Sequence, residues 1–347
     1  MGFRNTVTIG STNPPIAMHF GNDEIIRLMQ INGTNKLELQ ASFEVSATDQ
    51  IGLAEAVGCF RSRQTVICVP SSETLLTHIR VDCNATDEEV VEKLCDRNEA
   101  WKYASIRQLP LYTNIREGSN TKLQQELLCV GVQQDVIDTC VSIAEAVKMN
   151  VQHVTVPVHA TLRAFDRLYR RDGDDAMTSM VIDMDEKQSI AMIAHGMNLV
   201  VARALQYKTT ATTKKKWTSA PALVPAGGKT NEFERRSEIA PRGLAEPNHQ
   251  NNKTVTSEES AFVEELRGCI RHHSSLFPDR AIERVVFSGI GALQADVCAS
   301  VATDLGIEGF IADPSAWIRG AEELASGPVW TTVAGLCLAS SSKGKSS

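Results

Sequence analysis

The residues best placed to do chemistry in this chain are a glycine-rich turn, two neighbouring acids and two adjacent histidines. Val285-Val286-Phe287 reads as a buried strand, and Ser288-Gly289-Ile290-Gly291 turns sharply out of it. Without side chains in the way, such a turn can approach a ligand closely. Asp183 and Asp185 could act as a carboxylate pair if both lay on one strand face. The strand pattern ends at Asp183, so Asp185 falls in the following turn and is expected to face solvent. His272 and His273 are neighbours on a helical pattern, where adjacent side chains diverge by about 100°. They make a poor joint ligand pair, and no metal centre is expected. The chain holds no GxxxxGK[ST] loop, HExxH or GxSxG, and no cysteine in a nucleophile signature. Ser288 reads as a small packing residue, so no catalytic residue is assigned.

The elements that must position these groups are legible by period. After the glycine turn, Leu293, Val297, Val301 and Leu305 recur every four residues on one helix face, and Gly306 ends that helix. Phe310-Ile311 opens a short strand closed by Asp313-Pro314. Earlier, Ile16–Ile31 reads as two strands around the tight turn Gly21-Asn22-Asp23-Glu24, with a third strand from Leu37 to Val45. A second hairpin pairs Thr178–Asp183 with Ser189–Ala194, followed by a strand at Asn198–Leu205. Residues 50–157 hold an α/β pattern between these hairpins. It runs through a helix near Gly52–Cys59, strands at Thr65–Pro70 and Leu75–Val81, and a helix capped at Thr86-Asp87-Glu88-Glu89. Val90, Val91, Leu94 and Trp101 give that helix its apolar face. A polar loop, a strand at Glu126–Gly131, a helix at Gln134–Met149 and a strand at Val151–Val156 complete the unit. Val158–Arg170 and Glu258–Leu276 read as further helices.

A chain of 347 residues is long enough for two lobes. Its 42% hydrophobic and 22% charged content is ordinary for a globular protein. A net charge of −7 argues against nucleic acid as a partner. Nine cysteines without CxxC or zinc spacing read as reduced thiols. No apolar run reaches the roughly 18–20 residues of a membrane span, and the N-terminal stretch has no signal-peptide core, so a cytoplasmic protein is expected. Residues 208–257 stand apart, with nine Lys/Arg against four Glu, several prolines and no apolar period. They read as a flexible basic excursion.

Strand, serine, clustered glycines, alanine-leucine helix and an Asp-Pro ending in this order resemble the adenosine-binding segment of the actin-like ATPase superfamily. The closest resemblance is to the PilM family of type IV pilus assembly proteins, related to FtsA. Arg203-Ala204-Leu205 matches the ending of the family's second hairpin. The resemblance implies an α/β, actin-like (ribonuclease H-like) two-lobe fold with an inserted small subdomain. The first lobe would take residues 1–49 and 158–177, and the small subdomain 50–157. The second lobe would take residues 178–207 and 258–340, interrupted by the basic insertion 208–257. A disordered tail would follow at 341–347.

Carried over position by position, the family's nucleotide site would fall on Gly21, Asn22, Asp183, Gly289 and Gly291, with ATP and magnesium as cofactor. Both phosphate turns depart from the family pattern. His19 stands where the first turn has Asp, and Asn22, Asp23 and Glu24 replace small hydroxyl residues. Met184-Asp185-Glu186 replaces the glycine and small residues of the second, and the family's helix after the second hairpin is not found in 208–257. The expectation is a scaffold with a degenerate nucleotide site. It would bind the cytoplasmic tail of a PilN-like inner-membrane protein and other pilus assembly components at the inner face of that membrane. Homo-oligomer formation is left open. The alternatives are an active Mg-ATP-dependent ATPase or kinase on the same fold, and an FtsA-like filament, for which the C-terminus offers no amphipathic membrane helix.

Overall fold

The computed structural model describes residues 13–33, 36–115, 123–166, 177–196, 198–209, 242–243 and 257–339. Most of the basic excursion, and all of the tail at 341–347, lie outside the described residues. Ile16-Ala17-Met18-His19-Phe20 is apolar but for His19, which suits a strand covered on both sides. It forms β1 (Ile16–Phe20), buried along its whole length. β1 pairs antiparallel with β2 (Ile25–Asn32), which pairs with β3 (Leu37–Ser46). On its other side β1 runs parallel to β4 (Gln64–Cys68), and β4 to β8 (Asn150–Thr155). With β15 (Ile318–Arg319) at the far edge, the sheet order is β15-β3-β2-β1-β4-β8. α1 (Gln50–Gly58) leads from β3 back to β4. Although β4 and β8 fall within the expected insertion 50–157, both complete the first lobe's sheet.

The small sheet comprises β5 (Thr74–Asp82), β6 (Ala104–Ile115) and β7 (Gln124–Gln133) in the order β5-β7-β6. α2 (Asp87–Arg97) covers it with Val90 and Leu94, while Trp101 packs from a separate short turn at Glu99–Tyr103. α3 (Gln134–Ala146) then leads back to β8. The stretch read as a polar loop forms β6. Pro110 obscures it, but β6 is an edge strand whose register shifts between Pro110 and Tyr112, where a missing N–H is tolerated. The capping box of α2 is complete: Thr86 Oγ1 accepts from Glu89 N–H, and Glu89 accepts from Thr86 N–H. Thr86→Ala should cost about 1 kcal/mol in a urea-unfolding experiment.

The second lobe is built on β9 (Thr178–Met184), β10 (Ser189–His195), β11 (Asn198–Leu205), β13 (Arg284–Ser288), β14 (Glu308–Ile311) and the two-residue β12 (Arg242–Gly243). Their order is β11-β10-β9-β13-β14-β12, with β9, β13 and β14 parallel. α5 (Ser257–Leu276) and α6 (Ala295–Leu305) flank it, and Gly306 ends α6 in the left-handed conformation. Leu293 belongs to a tight turn at Ile290–Leu293 that precedes α6.

α4 (Pro157–Ala164) and α7 (Thr331–Ala339) lie side by side where the lobes meet, and α7 crosses β1, β2 and β4. Their approach is close because Ala160, Ala164 and Gly335 are small. A Cβ on Gly335 would lie 1.9 Å from the Ala160 carbonyl oxygen. Among the described residues no helix is long and apolar enough to cross a membrane. All nine cysteines are free, and six of them are buried.

Candidate inter-lobe site

Parallel strands present a crevice at their carboxyl ends, where ligands of open α/β sheets bind. In this chain the ends of β1, β9 and β13 meet there. The structure brings Gly21 and Asn22 to one side of the crevice, and Asp183, Gly289 and Gly291 to the other.

On the first side, Gly21 N–H and the Ile25 carbonyl close the β1–β2 turn at 3.0 Å. Asp23 is held by the buried Arg27 guanidinium, which also donates to Glu44 through Nε at 2.9 Å. Part of the negative charge that the sequence places at this turn is therefore neutralised within the turn. His19 is buried, and its Nδ1 has no hydrogen-bond partner among the described residues. Burial, and then the Arg27 charge, push its pKa down to about 3, so the imidazole is neutral. It offers no carboxylate to a hard cation.

Asn22 makes the link to the second lobe. Its Nδ2 donates to Ser71 Oγ at 2.6 Å, and its Oδ1 accepts from Ser72 Oγ at 2.8 Å. Ser71 Oγ in turn donates to Asp185 Oδ2 at 3.1 Å, while Gln188 Nε2 donates to the Ser71 carbonyl at 3.1 Å. The sequence places Asp185 in a turn facing solvent. The structure keeps it in the turn but aims the carboxylate across the crevice, because Ser71 offers it a donor. Burial raises its pKa above the ordinary carboxylate value.

Asp183, at the end of β9, stands beside Ser288 in the parallel register of β9 and β13. Its Oδ1 accepts from Ser288 Oγ at 3.0 Å, and its Oδ2 from Thr161 Oγ1 at 3.4 Å. Thr161 also meets Thr332 at 2.9 Å, so hydroxyls of both α4 and α7 reach this second-lobe acid. Burial, then the Asp185 charge, push the Asp183 carboxyl up to about 6.

The glycine turn is close to its own chain. Gly289 has φ of +81°, and a Cβ there would lie 2.5 Å from the Met184 carbonyl oxygen and 2.9 Å from Asp183 Oδ1. At Gly291 a Cβ would lie 2.6 Å from Met184 Cβ. The buried Met184 side chain fills the space beneath the turn and touches Cys298. Both glycines are thus required by the close approach of Met184. Sequence reasoning missed Ser71, Ser72, Thr161 and Thr332. The available signals were the Pro70-Ser71-Ser72-Glu73 turn after a buried strand, and hydroxyls set in otherwise apolar helix faces.

Two six-stranded sheets joined by crossing helices, with hairpin turns and a glycine turn facing one crevice, define a protein of the actin-like ATPase fold. The chain belongs to the family described as type IV pilus assembly protein PilM, whose sequence profile matches residues 53–340. Among solved structures it is similar to a chain of a PilM–PilN type IV pilus biogenesis complex. That match has a TM-score of 0.60 at 13% identity and covers 94% of this chain and 98% of that one. A Bacteroides thetaiotaomicron protein of actin-like ATPase fold matches at a TM-score of 0.45 and 9% identity, covering 87% of this chain and 91% of that one. The activator of 2-hydroxyisocaproyl-CoA dehydratase from Clostridium difficile, with bound ADPNP, matches at 0.44 and 9%, covering 94% of each. No curated protein sequence matches the chain.

Proposed function

We propose that this protein is a cytoplasmic scaffold of a type IV pilus assembly machine whose inter-lobe crevice no longer takes Mg-nucleotide. Membership of the PilM family supports the pilus role. The observation that carries the scaffold reading is the occupancy of the crevice by the chain itself. Met184 fills the space under the glycine turn, and Asn22, Ser71 and Asp185 join the two hairpins. The residues present do not fit the cofactor, since His19 is neutral and the second acid, Asp183, is engaged by three hydroxyl-bearing residues.

The partner in this reading is the cytoplasmic tail of a PilN-like membrane protein, as in the similar complex. It would lie on the first lobe, where α1 and the end of α3 border a depression of about 510 Å³ lined by Ile51, Ala54, Ala146 and Val147, with Gln50 and Glu55. Ile51, at 75% exposure, offers the largest apolar side chain of this depression to a partner.

Calorimetric titration with synthetic tail peptides tests the reading, with Mg-ATP titrated alongside. The tail should bind, Ile51→Asp should weaken it at least about tenfold, and Mg-ATP should give no heat. No binding of any tail peptide at its solubility limit would sink the partner. Mg-ATP binding with turnover would favour the enzyme reading, for which the juxtaposition of Asp183 and Gly289 is the supporting observation.

A further inference from the structure

A second constellation lies away from the crevice, where the small sheet meets the second lobe. His78 on β5, Glu126 on β7 and His272 on α5 converge, with ligand atoms all within 4.8 Å of one another. Glu126 Oε1 lies 3.0 Å from His272 Nε2 and 3.4 Å from His78 Nδ1. In a tetrahedral zinc site with bonds of about 2.0–2.1 Å, neighbouring ligand atoms stand about 3.4 Å apart. None of these three atoms completes a well-formed hydrogen bond. We propose that His78 Nδ1, His272 Nε2 and Glu126 Oε1 form a site for one divalent transition-metal ion of the zinc class, linking the small sheet to the second lobe.

The surroundings prepare these atoms for that role. His78 Nε2 lies 3.2 Å from both the carbonyl oxygen and the amide nitrogen of Ala202 on the edge strand β11. In one tautomer Nε2 accepts from that N–H and Nδ1–H turns to Glu126. In the other, Nε2–H donates to the carbonyl and the Nδ1 lone pair faces Glu126, the arrangement by which a backbone carbonyl orients a metal-binding imidazole. In that second tautomer two acceptors face each other, and a cation between them removes the conflict. Arg80 Nε donates to Glu126 Oε2 at 3.2 Å, which fixes the carboxylate and leaves Oε1 for the ion.

A cavity of about 310 Å³ adjoins the site and is lined also by Lys93 and Arg97. Arg97 donates to the His78 carbonyl at 2.6 Å, and Lys93 to the Arg80 carbonyl. Both side chains also line the cavity, so an anion or hydroxide completing the coordination from that side would meet positive charge. Two neutral imidazoles and one carboxylate match the donor set zinc accepts. The adjacent His273 plays no part, since its Nε2 meets His195 at 2.8 Å.

The test is to strip the full chain with chelator, dialyse it against zinc chloride and count bound metal by mass spectrometry. Cobalt(II) is titrated in parallel and followed by its visible absorption. The expected result is one zinc per chain and the intense d–d bands of a tetrahedral nitrogen–oxygen site. His272→Asn and Glu126→Gln should each weaken zinc binding by at least about 100-fold, and His195→Asn should leave it unchanged. No zinc retained by the wild type would overturn the proposal, leaving a plain ion pair. So would binding that survives the double substitution His78→Asn/His272→Asn, or cobalt bands of thiolate type from one of the free cysteines. The wild-type result decides the matter even if a variant fails to fold.

Discussion

Gly335→Ala is expected to destabilise the protein by about 3 kcal/mol, in the upper range for overpacking. The added methyl would lie 1.9 Å from a carbonyl oxygen of α4 and 2.8 Å from its carbon. These are backbone atoms, so no rotamer change relieves the clash and the helices must move apart. That separation would also disturb the Thr161–Thr332 contact at 2.9 Å and loosen the hydroxyls around Asp183. Because the obstacle is main chain, Ala160→Gly should not rescue the variant. Denaturant midpoints of the single and double variants check both statements. Near wild-type stability in Gly335→Ala would mean that α4 and α7 can slide at little cost.

The second large effect concerns pH. The Asp183 pKa rises from an ordinary 3.8 to about 6 in the folded protein. A raised carboxylate pKa means that the folded state binds the proton more tightly than the unfolded one. The associated stability is fully present below about pH 4 and is lost as pH climbs through about 6. Asp183→Asn removes this dependence while keeping an acceptor for Ser288. The variant should therefore match the wild type near pH 4 and exceed it by up to about 3 kcal/mol above pH 7. The difference between the two proteins is the quantity to measure. Absolute curves also contain His19, whose depressed pKa removes stability on acidification. They contain Glu126 as well, which acts in the same sense as His19. A difference that is flat from pH 4 to 7, or that favours the wild type at high pH, would refute the assignment.

Much of this fold was legible because burial imposes a period. The largely apolar, fully buried β1 and β13, the four-residue spacing of Val297, Val301 and Leu305, and the capping box at Thr86 report on neighbours close in sequence. The glycine turn and the resemblance it carries were legible for the same reason. What escaped were contacts between distant segments. Ser71 meets Asp185 across 114 positions, and Thr161 meets Thr332 across 171, and nothing local in either residue announces its partner. Met184 could be read as a lost glycine but not as the group that fills the turn at Gly289–Gly291. The histidine pair illustrates the limit from the other side. Adjacent helical residues do point to different partners, yet dismissing them jointly overlooked that His272 alone reaches Glu126 and His78, which stand on two strands of the small sheet. β6 was hidden by Pro110, whose cost in a strand depends on whether that strand is an edge.

The chain of hydrogen bonds from Asn22 through Ser71 to Asp185 has a consequence for how such a protein responds to its surroundings. In a two-lobed protein that shuts around a ligand, the shut form gains only the free energy by which the ligand prefers it. Here the seam is fastened by side chains of the chain itself, and Asp183 fastens it again through the hydroxyls of α4 and α7. On the reading proposed above, posture would be a heritable property rather than a readout of metabolite level. A platform of this kind would stand in the same attitude in a starved cell and a fed one. Only a partner gripping both lobes, with force enough to part Ser71 from Asp185, would change it.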